Sequence, residues 1–323
     1  MPPEHERLRL LSDELEVVVL PRKGADIYAI VDRASGIDVL FKSPWGWCDP
    51  DTLPPTGDSQ QDWLARYPGG WQQLVPNAGP ERRVRGVSRG FHGEAATTPW
   101  HVQSRTGSSA VLATRLPDEA LSLTRTLVLE GPTLTLSDTV RNDSAEPTEV
   151  MWVQHPGFGA PFIDGSCRLD FGAGTLISDA EAPGTAFAQD RSFDVSADAV
   201  TDFSRDVRSV PGPGSRSSAF GALTDFSSGW FSIDSPNAGF GIRVDWDAAV
   251  FPHAWFWQEC HASSGPPWFG EAYVIAVEPA NVLPGDPSPG CSDRGRSPVL
   301  TPGESWVGRI SVVRTALREV GCE

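Results

Sequence analysis

Residues 121–140, LSLTRTLVLEGPTLTLSDTV, carry the clearest structural signal in this chain. Apolar and polar residues alternate through Leu121–Leu129 and again through Leu134–Val140. An alternation with a period of two predicts two β-strands, each with one buried face and one face in water. Gly131 and Pro132 separate the two runs and predict the turn of an antiparallel hairpin.

Further β-rich runs follow along the chain, separated by turn-forming residues. They are Leu15–Leu20, Ile27–Val31, Ile37–Phe41, Val111–Thr114, Val150–Val153, Gly229–Ile233, Gly241–Val244, Ala254–Trp257, Tyr273–Val277 and Trp306–Val313. The 32 glycines and 29 prolines suit many short strands and disfavour long helices. The sequence therefore predicts an all-β fold, a large antiparallel β-sandwich in which residues 1–323 form a single domain.

Four stretches depart from the strand pattern. Residues 59–67, SQQDWLARY, predict one short helix with Ser59 as its N-cap. Cys48–Gly57 and Val282–Pro302 are rich in proline and predict loops. Asp179–Ser218 is acidic and then rich in Pro, Gly and Ser, which predicts a long excursion from the sheets.

Charge and cysteine usage exclude several classes of protein. The net charge of −16 and the pI near 4.7 argue against binding to nucleic acid or to an anionic membrane surface. The five cysteines are widely spaced and contain no CxxC pair, so they predict neither a disulfide framework nor a zinc site. The first residues form no apolar leader, and no stretch reaches membrane-spanning length. We therefore expect a reduced, cytoplasmic protein.

Common nucleotide and hydrolase motifs are missing from the sequence. It contains no GxGxxG, no GxxxxGK[ST] and no GxSxG. His92-Gly93-Glu94 matches the HxE half of a zinc deaminase signature, but no PCxxC follows it. The six histidines never fall four residues apart. We therefore expect no metal site and no cofactor.

Four segments contain the residues best suited to chemistry. They are PGGWQQLVPNAG (68–79), FHGEAATTPW (91–100), MWVQHPGFGAPF (151–162) and AYVIAVEP (272–279). Taken singly, His92 in a turn and His155 at a strand end have ordinary structural explanations. Trp255 and Trp257 alternate, so core packing explains them as readily as a sugar-binding platform does. Glu278 is less ordinary, because a carboxylate in an apolar strand is costly unless it is paired or lies at the strand exit.

Taken together and in this order, the segments resemble the aldose 1-epimerase (galactose mutarotase-like) superfamily. The stretch from His92 to Trp100 is similar to the family sequence HGFARNTPW, and 68–79 resembles the Gly-Gly segment upstream of it in the hexose-phosphate branch. His155 matches the family's central histidine, and Glu278 matches the glutamate that ends a late strand. Residues 300–304, LTPGE, resemble the lead into the last strand. The resemblance runs from about residue 8 to 314.

The resemblance implies a supersandwich with a sugar on its concave face. By this likeness Glu278 is the base that removes the proton of the anomeric hydroxyl. His155 is the acid that protonates the ring oxygen. The substrate-binding candidates are His92, Asn77, Trp100, Trp257, Glu259 and Asp225. The family's sugar-binding aspartate could equally be Asp202 or Asp245, and the sequence does not choose among the three.

The sequence also departs from the family pattern. Ala96 stands where the family has an arginine, and Glu94 stands where it has a phenylalanine. Because arginine is the favoured phosphate ligand, we expect a neutral sugar as the substrate. The arginines at 82, 83, 85 and 89 oppose this view, and we interpret them as loop surface charges.

Three functions remain open at this point. The first is an isomerase that interconverts the anomers of an aldose. The second is a non-catalytic carbohydrate-binding protein on the same fold, and the third is a lyase or another isomerase. The sequence does not indicate the oligomeric state.

Overall fold

The computed structural model describes residues 1–49, 52–196, 206–285 and 294–317. It contains a 3₁₀ helix (Glu4–Glu6) and helix α1 (Ser59–Ala65). The strands are β1 (Leu8–Leu11), β2 (Leu15–Leu20), β3 (Asp26–Asp32), β4 (Trp71–Leu74), β5 (Arg82–Val84), β6 (Val87–Arg89), β7 (His101–Arg105), β8 (Ser109–Leu116), β9 (Leu121–Glu130), β10 (Thr133–Asn142), β11 (Thr148–Glu149), β12 (Val153–Gly159), β13 (Arg168–Phe171), β14 (Thr175–Ser178), β15 (Ser192–Asp194), β16 (Ser217–Thr224), β17 (Gly229–Ser235), β18 (Phe240–Trp246), β19 (His253–Cys260), β20 (Tyr273–Ala280), β21 (Val299–Leu300) and β22 (Ser305–Thr315).

Two large antiparallel sheets form the sandwich. The first sheet has ten strands in the order β1-β2-β3-β4-β12-β20-β19-β16-β14-β15. The second has eight strands in the order β13-β17-β18-β22-β10-β9-β8-β7. Apolar side chains from both sheets form one core between them, with Trp71 and Ile275 from the first sheet and Leu127 and Leu136 from the second. The all-β sandwich predicted from the sequence is confirmed.

Most strand predictions agree with the structure, and the disagreements have local causes. The hairpin of residues 121–140 is confirmed as β9 and β10, with every second residue of β9 buried. Ile37–Phe41 makes only isolated bridges, such as Leu40 with Phe158, rather than a regular strand. Helix α1 lies where it was predicted, but its N-cap is Asp58, whose Oδ1 accepts hydrogen bonds from the amides of Gln60 and Gln61.

The core between the sheets also contains a buried polar network. Arg125 of β9 donates two hydrogen bonds to the Asp138 carboxylate of β10, at 2.9 and 2.7 Å. It also donates to the side-chain oxygens of Gln73 and Gln154, which belong to the first sheet. The side-chain amide of Gln154 in turn donates to Asp138. The network therefore ties β4 and β12 to the second sheet at one fixed position.

Two further observations concern thiols and membranes. Cys48, Cys167 and Cys260 are free thiols, while Cys291 and Cys322 lie outside the described residues. Within the ranges described above, the structure has no helix with the length and apolar character needed to cross a membrane.

The buried network predicts a large loss of stability when its charges are unbalanced. Replacing Asp138 with asparagine leaves the Arg125 guanidinium buried without its carboxylate, which should lower the free energy of unfolding by about 3–5 kcal/mol. The matched control is Asp245→Asn, which breaks the exposed ion pair with Arg243 and should cost less than about 1 kcal/mol. Urea unfolding of both variants measures the difference, and equal losses would contradict this role of the network.

Candidate active site

The candidate site lies at the centre of the ten-stranded sheet, on the face turned away from the second sheet. Across this sheet, Gln72 of β4 is the register partner of His155 of β12, and Trp255 of β19 is the partner of Glu278 of β20. Register partners in a sheet project to the same face. The pairing of β12 with β20 then brings His155 next to Glu278, with 3.6 Å between Nε2 and Oε1.

Both side chains belong to strand interiors, which differs from the sequence expectation of two strand exits. Strand β12 continues through Gly159, four residues beyond His155, and β20 continues to Ala280. Each strand is hydrogen-bonded on both edges. The imidazole of His155 and the carboxyl of Glu278 are therefore held by four neighbouring strands rather than by loops.

A cavity of about 510 Å³ opens above this pair. Its polar groups include His92, His155 and Glu278, and its walls are mainly aromatic. Trp257, a substrate-binding candidate from the sequence, lines the cavity. The cavity is large enough for a small-molecule ligand, for which such volumes are typical.

Helix α1 and one loop supply aromatic walls that the sequence analysis missed. Trp63 and Tyr67 stack with their ring centroids 4.9 Å apart, and Trp63 meets His92 edge-on at 4.6 Å. Trp268, in the loop after β19, packs on Trp257 at 5.6 Å. Trp63 belongs to α1 and Tyr67 lies two residues after its end, and nothing local in the sequence indicated which surface they would cover.

The backbone around His92 fixes the orientation and the tautomer of its ring. His92 has a left-handed backbone with φ of 59°, followed by Gly93 at 69°. The amide of Gly79 donates a 2.9 Å hydrogen bond to Nδ1 of His92. Because Nδ1 accepts, the proton of the neutral ring lies on Nε2, which is left as the donor. Burial, with a smaller contribution from His155, lowers the pKa of His92 well below its ordinary value, so the ring is neutral at pH 7.

Burial also controls the protonation of the central pair. It raises the pKa of Glu278 well above its ordinary value and lowers the pKa of His155 to about 4. Burial therefore favours the neutral carboxyl of Glu278 and the neutral imidazole of His155 in the free site, whereas the family resemblance implies a protonated His155. Glu278 Oε2 and His155 Nδ1 are buried with no hydrogen-bond partner among the described residues. Such atoms are costly unless water or a ligand reaches them.

Four substrate-binding candidates lie outside the cavity lining, and two of these support loops. The Asn77 amide donates 2.9 Å hydrogen bonds to the carbonyls of Pro80 and Gly90 and so holds together the segments next to His92. Glu259 accepts hydrogen bonds from the amides of Ala262 and Ser263 and from the Ser263 hydroxyl. Its carboxylate therefore anchors the loop that carries Trp268.

The other two candidates also lie away from the cavity, and so does Asp245, one of the alternatives to Asp225. Trp100 is buried in the core between the sheets and donates to the carbonyl of Ala95. Asp225 is exposed in the turn after β16, with φ of 57°, and lies outside the cavity lining. Asp245 pairs with Arg243 in the second sheet. Asp202 lies outside the described residues.

Cationic side chains and metal ligands bear on which substrate a cavity can hold. Of the described residues, neither a lysine nor an arginine lines this cavity. Arg89 is not a loop surface charge as expected from the sequence, because it is buried in an ion pair with Glu119. In the described parts of the chain, no group of three or more His, Cys, Asp and Glu side chains is placed to hold a metal ion.

The sandwich and the position of its cavity define a galactose mutarotase-like fold. Galactose mutarotase-like proteins from Clostridium acetobutylicum and Lactobacillus casei superpose with TM-scores of 0.67 and 0.65, at 15% and 17% sequence identity. The alignments cover 96% and 95% of this chain, and 95% and 99% of those proteins. The GalM/aldose epimerase homologue from C. elegans superposes with a TM-score of 0.60 at 13% identity, over 97% of this chain and 99% of that one.

The family follows from the sequence match. The family described as a domain of unknown function, DUF4432, matches residues 6–313, and the chain belongs to this family. No curated protein matches the chain.

The tautomer of His92 can be measured directly. The hydrogen bond from Gly79 predicts a neutral ring with the proton on Nε2, and ¹⁵N chemical shifts of the imidazole should report this form from pH 8 down to at least pH 5.5. Conversion of the His92 signals to the imidazolium pattern near pH 6.5 would contradict the assignment.

Proposed function

We propose that the protein is an isomerase that interconverts the α and β anomers of an aldose. The observation that carries this proposal is the carboxyl–imidazole pair, 3.6 Å apart, on the floor of an aromatic cavity of about 510 Å³. The galactose mutarotase-like fold supports it. One core shared by both sheets supports treating the chain as a single domain.

The proposed mechanism uses the two groups on the cavity floor. Glu278 takes the proton from the anomeric hydroxyl while His155 gives a proton to the ring oxygen. The bond between the anomeric carbon and the ring oxygen breaks, and an open-chain aldehyde forms. Rotation about C1–C2 and the reverse proton transfers close the ring in the other configuration. Only protons move between protein and sugar, so the reaction needs neither an oxidant nor a group carrier.

The protonation of the buried pair fits both halves of this cycle. Glu278 as carboxylate with His155 protonated opens the ring. Glu278 as carboxylic acid with neutral His155 closes it. The two forms contain the same number of protons, and the 3.6 Å separation lets a proton return from one group to the other with little movement. In the empty site, burial favours the form with a neutral carboxylic acid and a neutral imidazole. Hydrogen bonds from sugar hydroxyls would stabilise the form with a carboxylate and an imidazolium.

His92 has a separate role in this proposal. Its Nε2–H faces the cavity as a neutral donor, because Nδ1 is occupied by the amide of Gly79. A neutral donor can hold a sugar oxygen without competing for the proton that Glu278 and His155 exchange.

Replacing Glu278 with glutamine should abolish most of the activity. The amide cannot accept the anomeric proton, and one general acid–base group typically contributes about 10²–10⁴-fold. Magnetisation-exchange NMR between the anomers of glucose and galactose measures the rate. Glu94→Gln is a matched control, because this carboxyl lies outside the cavity lining. If the wild-type protein binds sugar but leaves the exchange rate at the uncatalysed level, the protein is a carbohydrate-binding protein and not this enzyme.

The rate should depend on pH in a way set by the pair. His155 becomes charged only as the pH falls through about 4, and a second proton on the pair then removes the base. The rate should therefore be on a plateau by about pH 5 and fall as the pH drops through about 4. At high pH the rate should fall when the pair loses its last proton. Because burial raises the pKa of Glu278, this loss should occur well above the ordinary pKa of a glutamate. These apparent values belong to the pair rather than to one residue. An acid limb near pH 6.5, as for an ordinary histidine, would refute this assignment.

The substrate should be a neutral sugar rather than a sugar phosphate. A phosphate dianion needs cationic ligands, and the described residues place none in the cavity lining. Comparing the exchange rates of glucose and galactose with those of their 6-phosphates tests this expectation. Faster exchange of a phosphate ester would show that a cationic group reaches the site.

A further inference from the structure

Tyr67 carries a buried hydroxyl that the mechanism above does not use. The side chain is 1% exposed and lines the cavity, and its hydroxyl has no hydrogen-bond partner in the described structure. A buried tyrosine hydroxyl usually finds a partner, since leaving it unpaired costs about 1–3 kcal/mol. Phenylalanine would give the same ring packing without that cost. The hydroxyl therefore points to a ligand that completes the site.

The position of this hydroxyl is fixed from several sides. The ring stacks on Trp63 at 4.9 Å and meets His155 edge-on at 5.8 Å, with the two planes at 88°. The backbone carbonyl of Tyr67 accepts a hydrogen bond from the Ser43 hydroxyl. The hydroxyl thus approaches the sheet from the helix side with little freedom to turn away.

Gly157 shows where the hydroxyl lies above the sheet. A Cβ built on Gly157 would be 3.2 Å from the Tyr67 oxygen, so the space of this missing side chain receives the hydroxyl. Gly157 lies two residues after His155 on the same face of β12, and its partner in β20 is Ala276, two residues before Glu278. The hydroxyl therefore lies against the strand that carries His155, on the face of the sheet that also carries Glu278.

We propose that Tyr67 is a third catalytic residue, whose hydroxyl donates a hydrogen bond to the anomeric oxygen while Glu278 removes that oxygen's proton. This inference rests on the proposed anomer interconversion. Negative charge develops on the anomeric oxygen in this step, and a donor held in a water-poor site stabilises it. Burial, together with the charges of Glu278 and Asp26, raises the pKa of Tyr67, so the phenol stays protonated and acts as a donor.

The test uses Tyr67→Phe, which keeps the ring and removes only the hydroxyl. Losing one such donor typically lowers kcat by about 10²–10³-fold. We expect a loss of this size in anomer exchange, with sugar affinity, followed by quenching of the cavity tryptophans, changed by less than about 5-fold. The thermal midpoint should not fall, because a hydroxyl without a protein partner adds no stability. Tyr28→Phe is the matched control, since Tyr28 packs in a separate cluster with Val18 and Leu20.

A double-mutant cycle with Gly157→Ala links the effect to the position of the hydroxyl. The added methyl group would displace the Tyr67 oxygen, so Gly157→Ala alone should also slow exchange. In the Tyr67→Phe background the same substitution should slow it less, because the shortest contact is gone and the tightest that remains is the 3.3 Å approach to Val274 Cγ2. If the double variant loses rate by the product of the two single-variant factors, the two sites act independently and the proposed placement of the hydroxyl is overturned.

The remaining outcomes separate this inference from the proposed function. An active wild-type protein whose Tyr67→Phe variant keeps its rate within about 3-fold overturns the role of Tyr67 and leaves the isomerase intact. Equal losses of rate and affinity also overturn it, because they indicate uniform binding of the sugar. A wild-type protein that does not accelerate exchange overturns both proposals.

Discussion

The pairing of strands β12 and β20 is the constraint on which the site depends. Its register brings an imidazole and a carboxyl to 3.6 Å on one face of the sheet. The neighbouring residue of β12, Gln154, points to the opposite face and joins the Arg125–Asp138 network. A slip of one residue would exchange the two faces of β12, moving His155 into the core and Gln154 into the cavity. The buried network therefore protects the register that pairs His155 with Glu278 as well as the contact between the sheets.

The electrostatics of the site follow from this placement. His155 and Glu278 are enclosed by strands below and aromatic rings above. Burial therefore has the largest effect on the pKa of each side chain. Burial therefore favours the neutral form of each group. The hydroxyl groups of a sugar can pair with the polar atoms of Glu278 and His155 that have no partner among the described residues. The absence of lysine and arginine from the described cavity lining leaves recognition to neutral hydrogen bonds and ring faces.

The sequence reveals this site only in part, for physical reasons. Period-two alternation specifies β9 and β10, because one face of each strand is buried. His155 and Glu278 can be located by resemblance, since their neighbours along the chain form a recognisable pattern. Trp63 and Tyr67 cannot be located in this way, because they reach the cavity only when α1 and the residues after it pack on the ten-stranded sheet. Asn77 and Glu259 lie near the recognised segments, but their side chains bond to loop backbone outside the cavity lining. Asp225 lies in the expected stretch of sequence, but its turn leaves it in solvent.

A crystal structure of the protein soaked with a mixture of neutral monosaccharides tests the central claim most directly. The account predicts one sugar ring in the cavity, with its anomeric hydroxyl at Glu278, its ring oxygen within hydrogen-bonding distance of His155 Nε2, and an oxygen at His92 Nε2. The claim would be contradicted by a sugar bound elsewhere on the sandwich, or by one held in this cavity with its anomeric carbon turned away from the Glu278–His155 pair.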